Sequence, residues 1–547
     1  MTENEKLEEI AIGLIDILPS WRLRAIERID LSSELWAEHV REIHVKEFPN
    51  LVTSLKDSSE YSTPTAHDGL RESLTDVQSE DPDVKEIDLI LPIAYLPRVP
   101  ILDLRITVAE KQVYRIPLDE GSWIHAKYVG RLAKVAGFEV SEILLVLLSA
   151  LFYFPSKEYG EFWNKYNQLN VWSPGSWYHW SKGRVANADP VREYLKECSS
   201  ILGFKVDKST YETWKGYSSK IGKIVRKFEP ADYKSSCENP LVALPQFARE
   251  MRRLRDEKVT KEMITDVLEE LRKVLREARK KQKRGSCDER KSAKGFLSTY
   301  AINGLRWMVF AKCAVPRNEK FIVTLEETRP IHFTAKWHTR PNRGKLFPIT
   351  GHYGKTAWKM ISFNDAETNH LSIRVSDTAV KLHHERGDHL VLGDKCEPIR
   401  EHPDEEEKTA ELYLRQDSTP DRPKRIWVKC HLRLTRLTSA FLYLAMAITG
   451  GAIALLIWRG VLDSHDAPPR SINEMQKEDF THGITAKDAA VILIPVAFVA
   501  AFLLVRETST LAMRIKRLRH SFLLVELFVL LATATSLYFW RLIWATP

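Results

Sequence analysis

Residues 426–436 read Ile426-Trp427-Val428-Lys429-Cys430-His431-Leu432-Arg433-Leu434-Thr435-Arg436, and the run LTSAFLYLAMAITGGAIALLIW follows from Leu437 to Trp458. The first part alternates. Ile426, Val428, Cys430, Leu432 and Leu434 fall on one face and Lys429, His431 and Arg433 on the other, the period of a strand with one side covered. The second part is 22 residues without a charge. At about 1.5 Å per residue it is long enough to cross a hydrocarbon core of about 30 Å. A strand therefore runs into a helix of membrane-crossing length with almost no linker. A β-rich domain placed this way sits against the membrane face and is mechanically coupled to the helix.

Two further apolar runs follow, Ala489 to Val505 with Pro495 inside, and Ser521 to Trp540 with one acid, Glu526. Each alone would suit a buried core helix, but three such runs separated by charged loops predict three transmembrane helices at 437–458, 489–505 and 521–540. The basic residues set a direction. Arg422, Lys424, Arg425, Lys429, Arg433 and Arg436 precede the first span, and Arg506, Arg514, Lys516, Arg517 and Arg519 lie between the second and third. The longer loop 459–488 is poorer in Lys and Arg, and the C-terminal tail holds only Arg541. Positive charge stays on the cytoplasmic side, which predicts a cytoplasmic N-terminus and an extracytoplasmic C-terminus. Trp458, Tyr538, Trp540 and Trp544 fall near the outer ends, as an aromatic belt does. Small residues at Ala447/Gly451, Gly450/Ala454 and Ala497/Ala501 allow close helix approach. The reading favoured is packing within the chain, with a homo-oligomer through these helices as the alternative.

Working back toward the N-terminus, the period of two continues through a β-rich stretch, 316–436. Short strands are expected at Phe321–Leu325, Ile331–Ala335, Trp358–Phe363, Leu371–Val375, Ala379–His383, His389–Leu392 and Glu411–Arg415, and turn-prone segments separate them. This spacing predicts an all-β sandwich-like juxtamembrane domain. Ahead of it, 87–315 reads as an α+β cytosolic region. Strands are expected at Ile87–Pro92, Ile101–Val108 and Val113–Leu118. ILLVLLSALFYF, 143–154, is too short to span a membrane and predicts a core helix. Residues 245–286 carry Met263, Val267, Leu271 and Leu275 at helical spacing and predict one long amphipathic helix. Residues 1–54 form an N-terminal helical segment, with an amphipathic helix over 5–18 and a second helix start at Ser32 to Leu35. Residues 55–86 are polar and read as a linker or long loop.

Composition bounds the function classes. The chain has 547 residues, enough for several domains, and its net charge of +8 suits an anionic membrane face better than nucleic acid. Six cysteines stand far apart, with no CxxC pair, all before the first span, as reduced thiols in a cytosolic region do. The acidic start, Thr2-Glu3-Asn4-Glu5, is not that of a signal peptide.

Candidate sites are few. The end of the 245–286 helix is dense in cations: Arg272, Lys273, Arg276, Arg279, Lys280, Lys281, Lys283 and Arg284 against Glu277. Such an end is either a solvated helix terminus or a patch for anionic lipid head groups. Glu526 is a carboxylate inside a membrane span and so a functional candidate, with pairing to Arg519 as the bland alternative. His384 and His389, flanking a four-residue turn, could hold a metal if a third ligand approached, although histidines at loop edges are commoner without one. The aromatic cluster at 158–182 and the sequence Gly351-His352-Tyr353-Gly354-Lys355-Thr356 lack the context of a ligand or phosphate site. No cofactor and no catalytic residue is indicated. The leading expectation is an integral membrane sensor, scaffold or regulator with a cytosolic region that binds a ligand or partner, and an enzyme is the less favoured class. The alternatives are an oligomeric channel or pore-forming effector gated by that region, and a membrane-tethered metal-dependent hydrolase using the 383–389 cluster.

Overall fold

The structure is a computed structural model. It describes residues 2–33, 36–47, 85–97, 101–153, 190–226, 228, 237–304, 306–330, 356–363, 365–382, 391–392, 402–403, 409–415, 424–465, 491–497, 499 and 510–544. The expected linker 55–86 lies almost wholly outside these residues. So do the aromatic cluster at 158–182, the strand at 331–335, positions 351–355, and both His384 and His389.

The first helix, α1 (Glu3–Asp16), starts at a capping box in which the Thr2 hydroxyl and Glu5 carboxylate exchange backbone hydrogen bonds. It buries Leu7, Ile10, Ala11, Leu14 and Ile15, as the spacing predicts. The chain then enters strand β1 (Arg22–Asp30) and strand β2 (Trp36–Val45), which pair antiparallel. The helix expected from Ser32 is therefore corrected to a hairpin. The Ser33 hydroxyl, instead of capping a helix, hydrogen-bonds the Trp36 N–H at 2.9 Å and closes the turn. Ala37, Ile43 and Val45 then fall inward at alternate positions.

Two sheets and a ribbon organise the rest. Strands β3 (Glu86–Pro97) and β6 (Arg306–Pro316) form the two-stranded ribbon. The longer helices around it are α2 (Leu118–Val135), α3 (Glu142–Phe152), α4 (Lys208–Val225), α5 (Leu244–Arg255), α6 (Lys261–Arg284) and α7 (Cys287–Asn303). With α1 and the ribbon they build the larger apolar core. The single helix expected over 245–286 is two, because the chain turns at Asp256 in a left-handed conformation (φ 53°) and restarts at the Thr260 cap. The strand expected over 113–118 is also corrected: β5 (Lys111–Val113) is short, and α2 has begun by Leu118.

The eight-stranded sheet runs in the order β12-β13-β9-β1-β2-β7-β4-β5. Its further members are β4 (Leu102–Val108), β7 (Phe321–Pro330), β9 (Thr368–Arg374), β12 (His402–Pro403) and β13 (Thr409–Arg415). The β1–β9 pair is parallel, whereas the other neighbours are antiparallel. A four-stranded sheet joins β8 (Thr356–Phe363), β10 (Val380–Leu382), β11 (Val391–Leu392) and β14 (Lys424–Leu434), with β14 central. The β-rich stretch 316–436 thus does not close on itself. Among the described residues its strands β7, β9, β12 and β13 join β1, β2, β4 and β5, so the eight-stranded sheet is built from segments on either side of residues 118–303. This result was not readable from alternation, which marks a strand and leaves its partner open.

The last described elements are α8 (Arg436–His465) and α9 (Thr510–Trp544). Each contains a stretch long and apolar enough to cross a membrane, Arg436–Trp458 and Arg519–Leu537. Arg519 reaches Ser439 and Tyr443, while Leu530, further along α9, packs with Ala452 and Leu456. The two helices therefore run parallel. Helix 491–497 packs Val491, Ile492 and Val496 at the Leu456 end, and Val499 lies in the cluster of Leu442 and Leu523. This segment accordingly runs the opposite way.

Candidate functional site

The turn between β9 and β10 is where the sheets meet the apolar helices. Asp377 accepts from the Ala379 N–H at 2.8 Å with one carboxylate oxygen and from the Ala512 N–H at 3.1 Å with the other. Ala512 stands in the first turn of α9, where backbone N–H groups have no partner within the helix, so Asp377 caps that helix from a distant loop. The Ala379 carbonyl in turn accepts from the Thr435 N–H at 2.9 Å, immediately before α8. On the sheet side, the Ser376 N–H and hydroxyl both donate to the Asp30 carboxylate at the end of β1. One short turn thus ties β1 to the starts of both long helices.

Apolar packing reinforces the turn. Ile29, Leu31, Ala37, Leu371 and Ile373 of the eight-stranded sheet share a cluster with Val380, Leu382, Cys430, Leu432 and Leu434 of the smaller one. The same cluster continues into Leu442, Ala445, Leu511, Ala512, Ile515 and Leu523 of the helices. Just above it, the Arg519 guanidinium donates to the Ser439 hydroxyl at 2.7 Å and the Tyr443 hydroxyl at 2.9 Å. It also stacks 4.5 Å from the Tyr443 ring centre.

A second polar feature lies across the same sheet face. Arg22 donates to Asp365 at 2.6 Å and to the carbonyl of Ile93 at 3.1 Å, where a register shift in β3 opens that strand's pairing. Arg41 bridges Asp365 and Glu27, and His39 Nδ1 lies 3.4 Å from Glu27. Glu327 and Arg329 of β7 pair beside them. All seven side chains are at most 6% exposed. Burial pushes Arg22 down to about 10 against the pull of Asp365. It does the same to Arg329, opposed by Glu27. Burial acts on Arg41 too, but Asp365 and Glu27 outweigh it and raise its pKa. All three guanidiniums stay charged at neutral pH, and each is paired with a carboxyl group of Asp365, Glu27 or Glu327.

The residues singled out from sequence fall elsewhere. Glu526 is on α9, on the side that carries Arg519, Leu523 and Leu530, and its Oε2 is buried without a hydrogen-bond partner among the described residues. It does not pair with Arg519, which is occupied by α8. The cations of α6 divide into two groups. Arg272 pairs with Glu269 and stacks on Tyr217, and Arg276 and Lys280 pair with Glu277. Lys281 donates to the Ala136 carbonyl at 3.0 Å and lies over Phe138. Lys273, Lys283 and Arg284 are exposed and Arg279 is half-buried. Among the described residues no group of three His, Cys, Asp or Glu could hold a metal ion. The small cavity beside His125, Trp307 and Phe310, about 10 Å³, has room for one water.

Asp377, Asp365 and Arg22 were not found by reading the sequence. A capping signal lies within a few residues of its helix, whereas Asp377 acts 135 residues away. The charges in β1 alternate with one another as well as with apolar residues, so RLRAIERID gave no inward face. Compared with known proteins, the chain matches no family model, no curated protein and no solved structure.

Proposed function

We propose that this chain is a membrane-anchored sensor or regulator whose cytosolic α+β region takes a ligand or partner and passes its state to the membrane helices. The observation that carries this reading is the Asp377 carboxylate capping α9 from the turn after β9, within an apolar cluster shared by sheet and helices. An anchor serving only to tether would need no such continuity.

The topology belongs to the same proposal. Two parallel membrane helices require the chain to cross back between them, and the oppositely directed helix at 491–497 supports 489–505 as that return span. With the basic residues at the Arg436 and Arg514–Arg519 ends, three spans leave the N-terminus cytoplasmic and the C-terminus outside. Anionic lipid head groups remain proposed partners of α6, narrowed to the exposed Lys273, Lys283 and Arg284.

The test places spin labels at Glu38, exposed on β2, and at Met513, in the first turn of α9, on the full chain in lipid nanodiscs with exposed Cys287 replaced by Ser. One narrow distance is expected. A distribution as broad as that of a flexible tether would overturn the coupling. A pore is the second reading, and Glu526 is what favours it, because a half-buried membrane-helix carboxylate whose Oε2 has no hydrogen-bond partner among the described residues calls for one. A trimer or larger assembly in detergent, lost in Glu526→Leu, would select the pore, and a monomer would remove it.

A further inference from the structure

Where α8 and α9 enter their apolar stretches, one cation stands without a counter-charge. Arg519 is the first residue of the α9 stretch, and Arg436 opens that of α8. Across the pair, Arg519 Nη1 donates to the Ser439 hydroxyl at 2.7 Å and Nη2 to the Tyr443 hydroxyl at 2.9 Å. Both acceptors are neutral. Among the described residues Arg519 has no carboxylate partner. The carboxylates on either side of it along α9 are Asp377, bound at Ala512, and Glu526. Each is about 10 Å of helix axis away. Every charged residue between those two points on α9 is basic, and Lys516, one turn before Arg519, is buried. On α8, Arg436 stands exposed one turn before Ser439.

Below the guanidinium there is room. Ser439 and Tyr443 lie on one flank of α8, and Met446 and Gly450 continue that flank at helical spacing. Tyr443 is exposed, and a side chain on Gly450 would meet nothing within 4 Å. On α9, Phe522 is exposed one turn deeper than Arg519. The cation is thus held at the top of an exposed apolar strip.

This arrangement fits one ligand chemistry. Two of the five N–H donors of a guanidinium are engaged, and the rest remain for a phosphate, whose geometry the planar fork matches. At the depth where the apolar stretches begin, phosphates belong to lipid head groups, and acyl chains continue from them along the helices. A zwitterionic lipid brings its own ammonium, which Arg436 and Lys516 repel. An anionic lipid brings net negative charge to a site with an excess of positive.

We infer that Arg519, with Arg436 nearby, holds the phosphate of an anionic phospholipid between α8 and α9, the acyl chain lying over Tyr443 and Gly450. The site rests on the membrane placement of these helices proposed above, not on their coupling to the sheet. It is separate from the head-group contacts proposed for α6.

The full chain, delipidated in a phosphorus-free detergent, is offered equal amounts of phosphatidylglycerol and phosphatidylcholine, and native mass spectrometry counts the lipid retained. One phosphatidylglycerol per chain is expected, favoured about tenfold over phosphatidylcholine. Arg519→Gln should lower its retention about tenfold, and Arg519→Lys, which keeps the charge and loses the fork, by less. Gly450→Leu fills the strip at a position where added atoms meet no neighbour. It should fold normally and still lower retention several-fold, so it decides if Arg519→Gln fails to fold. The α6 variant with Lys273, Lys283 and Arg284 changed to Gln should retain as much as the native chain. Undiminished retention in Arg519→Gln or Gly450→Leu, or no preference between the two lipids, would overturn the site. So would loss in the α6 variant, or displacement of the lipid by inorganic phosphate, which would mark a site for free anions. A chain that stays monodisperse without detergent would instead overturn the membrane placement on which the site stands.

Discussion

Asp365 shows how much one side chain can carry out of sight of the sequence. It stands in a turn ahead of β9, yet two buried guanidiniums depend on it. Replacing it with Asn should cost about 3–5 kcal/mol, because Arg22 and Arg41 would share a site with their main counter-charge gone. Thermal unfolding in detergent measures this, and a change below about 1 kcal/mol would show that water compensates. Asp377→Ala should be milder, about 1 kcal/mol, the usual worth of a helix cap, with faster hydrogen exchange confined to the first turn of α9. Neither role was legible beforehand. Both residues act on partners more than a hundred positions away. Thr2, Thr260 and Asp207 cap the helices that directly follow them, and such local chemistry can be read from sequence.

Among the elements, helices were more legible than strands, and the reason is range. The 3.6-residue period of α1 and the Ser141 cap before α3 are complete within a dozen residues. A strand's inward face depends on the partner it finds, so β2 was misread and the shared sheet was missed. The break between α5 and α6 has its own signature in Asp256, held at φ 53°. Glycine adopts that conformation without the Cβ penalty, so Asp256→Gly should stabilise the chain by about 1 kcal/mol, and denaturant midpoints would register it. Helix α4 offers a pH test. Hydrogen bonds from Lys261, then from the Thr210 backbone and hydroxyl, hold the Asp207 carboxyl well below the usual carboxylate range. A lowered folded pKa stabilises at and above the ordinary carboxylate pKa and loses that effect as pH falls through the folded value. The gap in Tm between the native chain and Asp207→Asn should therefore be widest near neutrality and shrink toward pH 2.

For the whole molecule, sequence revealed the apolar C-terminal helices and the β-rich stretch before them, but not that they share a core. Leu432, Leu434, Leu442 and Leu523 belong to one cluster, so a fragment ending at Thr435 exposes part of it. In such a fragment the ribbon and its helices should remain protected from hydrogen exchange while 365–382 and 424–434 lose protection. Equal protection across the fragment would mean that the sheets hold without the helices. Topology is checked separately. A reporter after Pro547 should read as extracytoplasmic and one within 506–520 as cytoplasmic, and the reverse would invert the proposed orientation.

The parallel pairing of β1 with β9 also sets a timetable for synthesis. Arg22 and Asp365 are 343 residues apart, and β1 has no neighbour on that side until β9 emerges from the ribosome. At about 5–20 residues per second the wait is roughly 17–70 s, during which the β1–β2 hairpin presents a bare edge. The sheet can close only when residues near 415 are out, shortly before the first apolar helix is made. Synthesis of the first apolar helix and completion of the eight-stranded sheet thus fall at nearly the same moment.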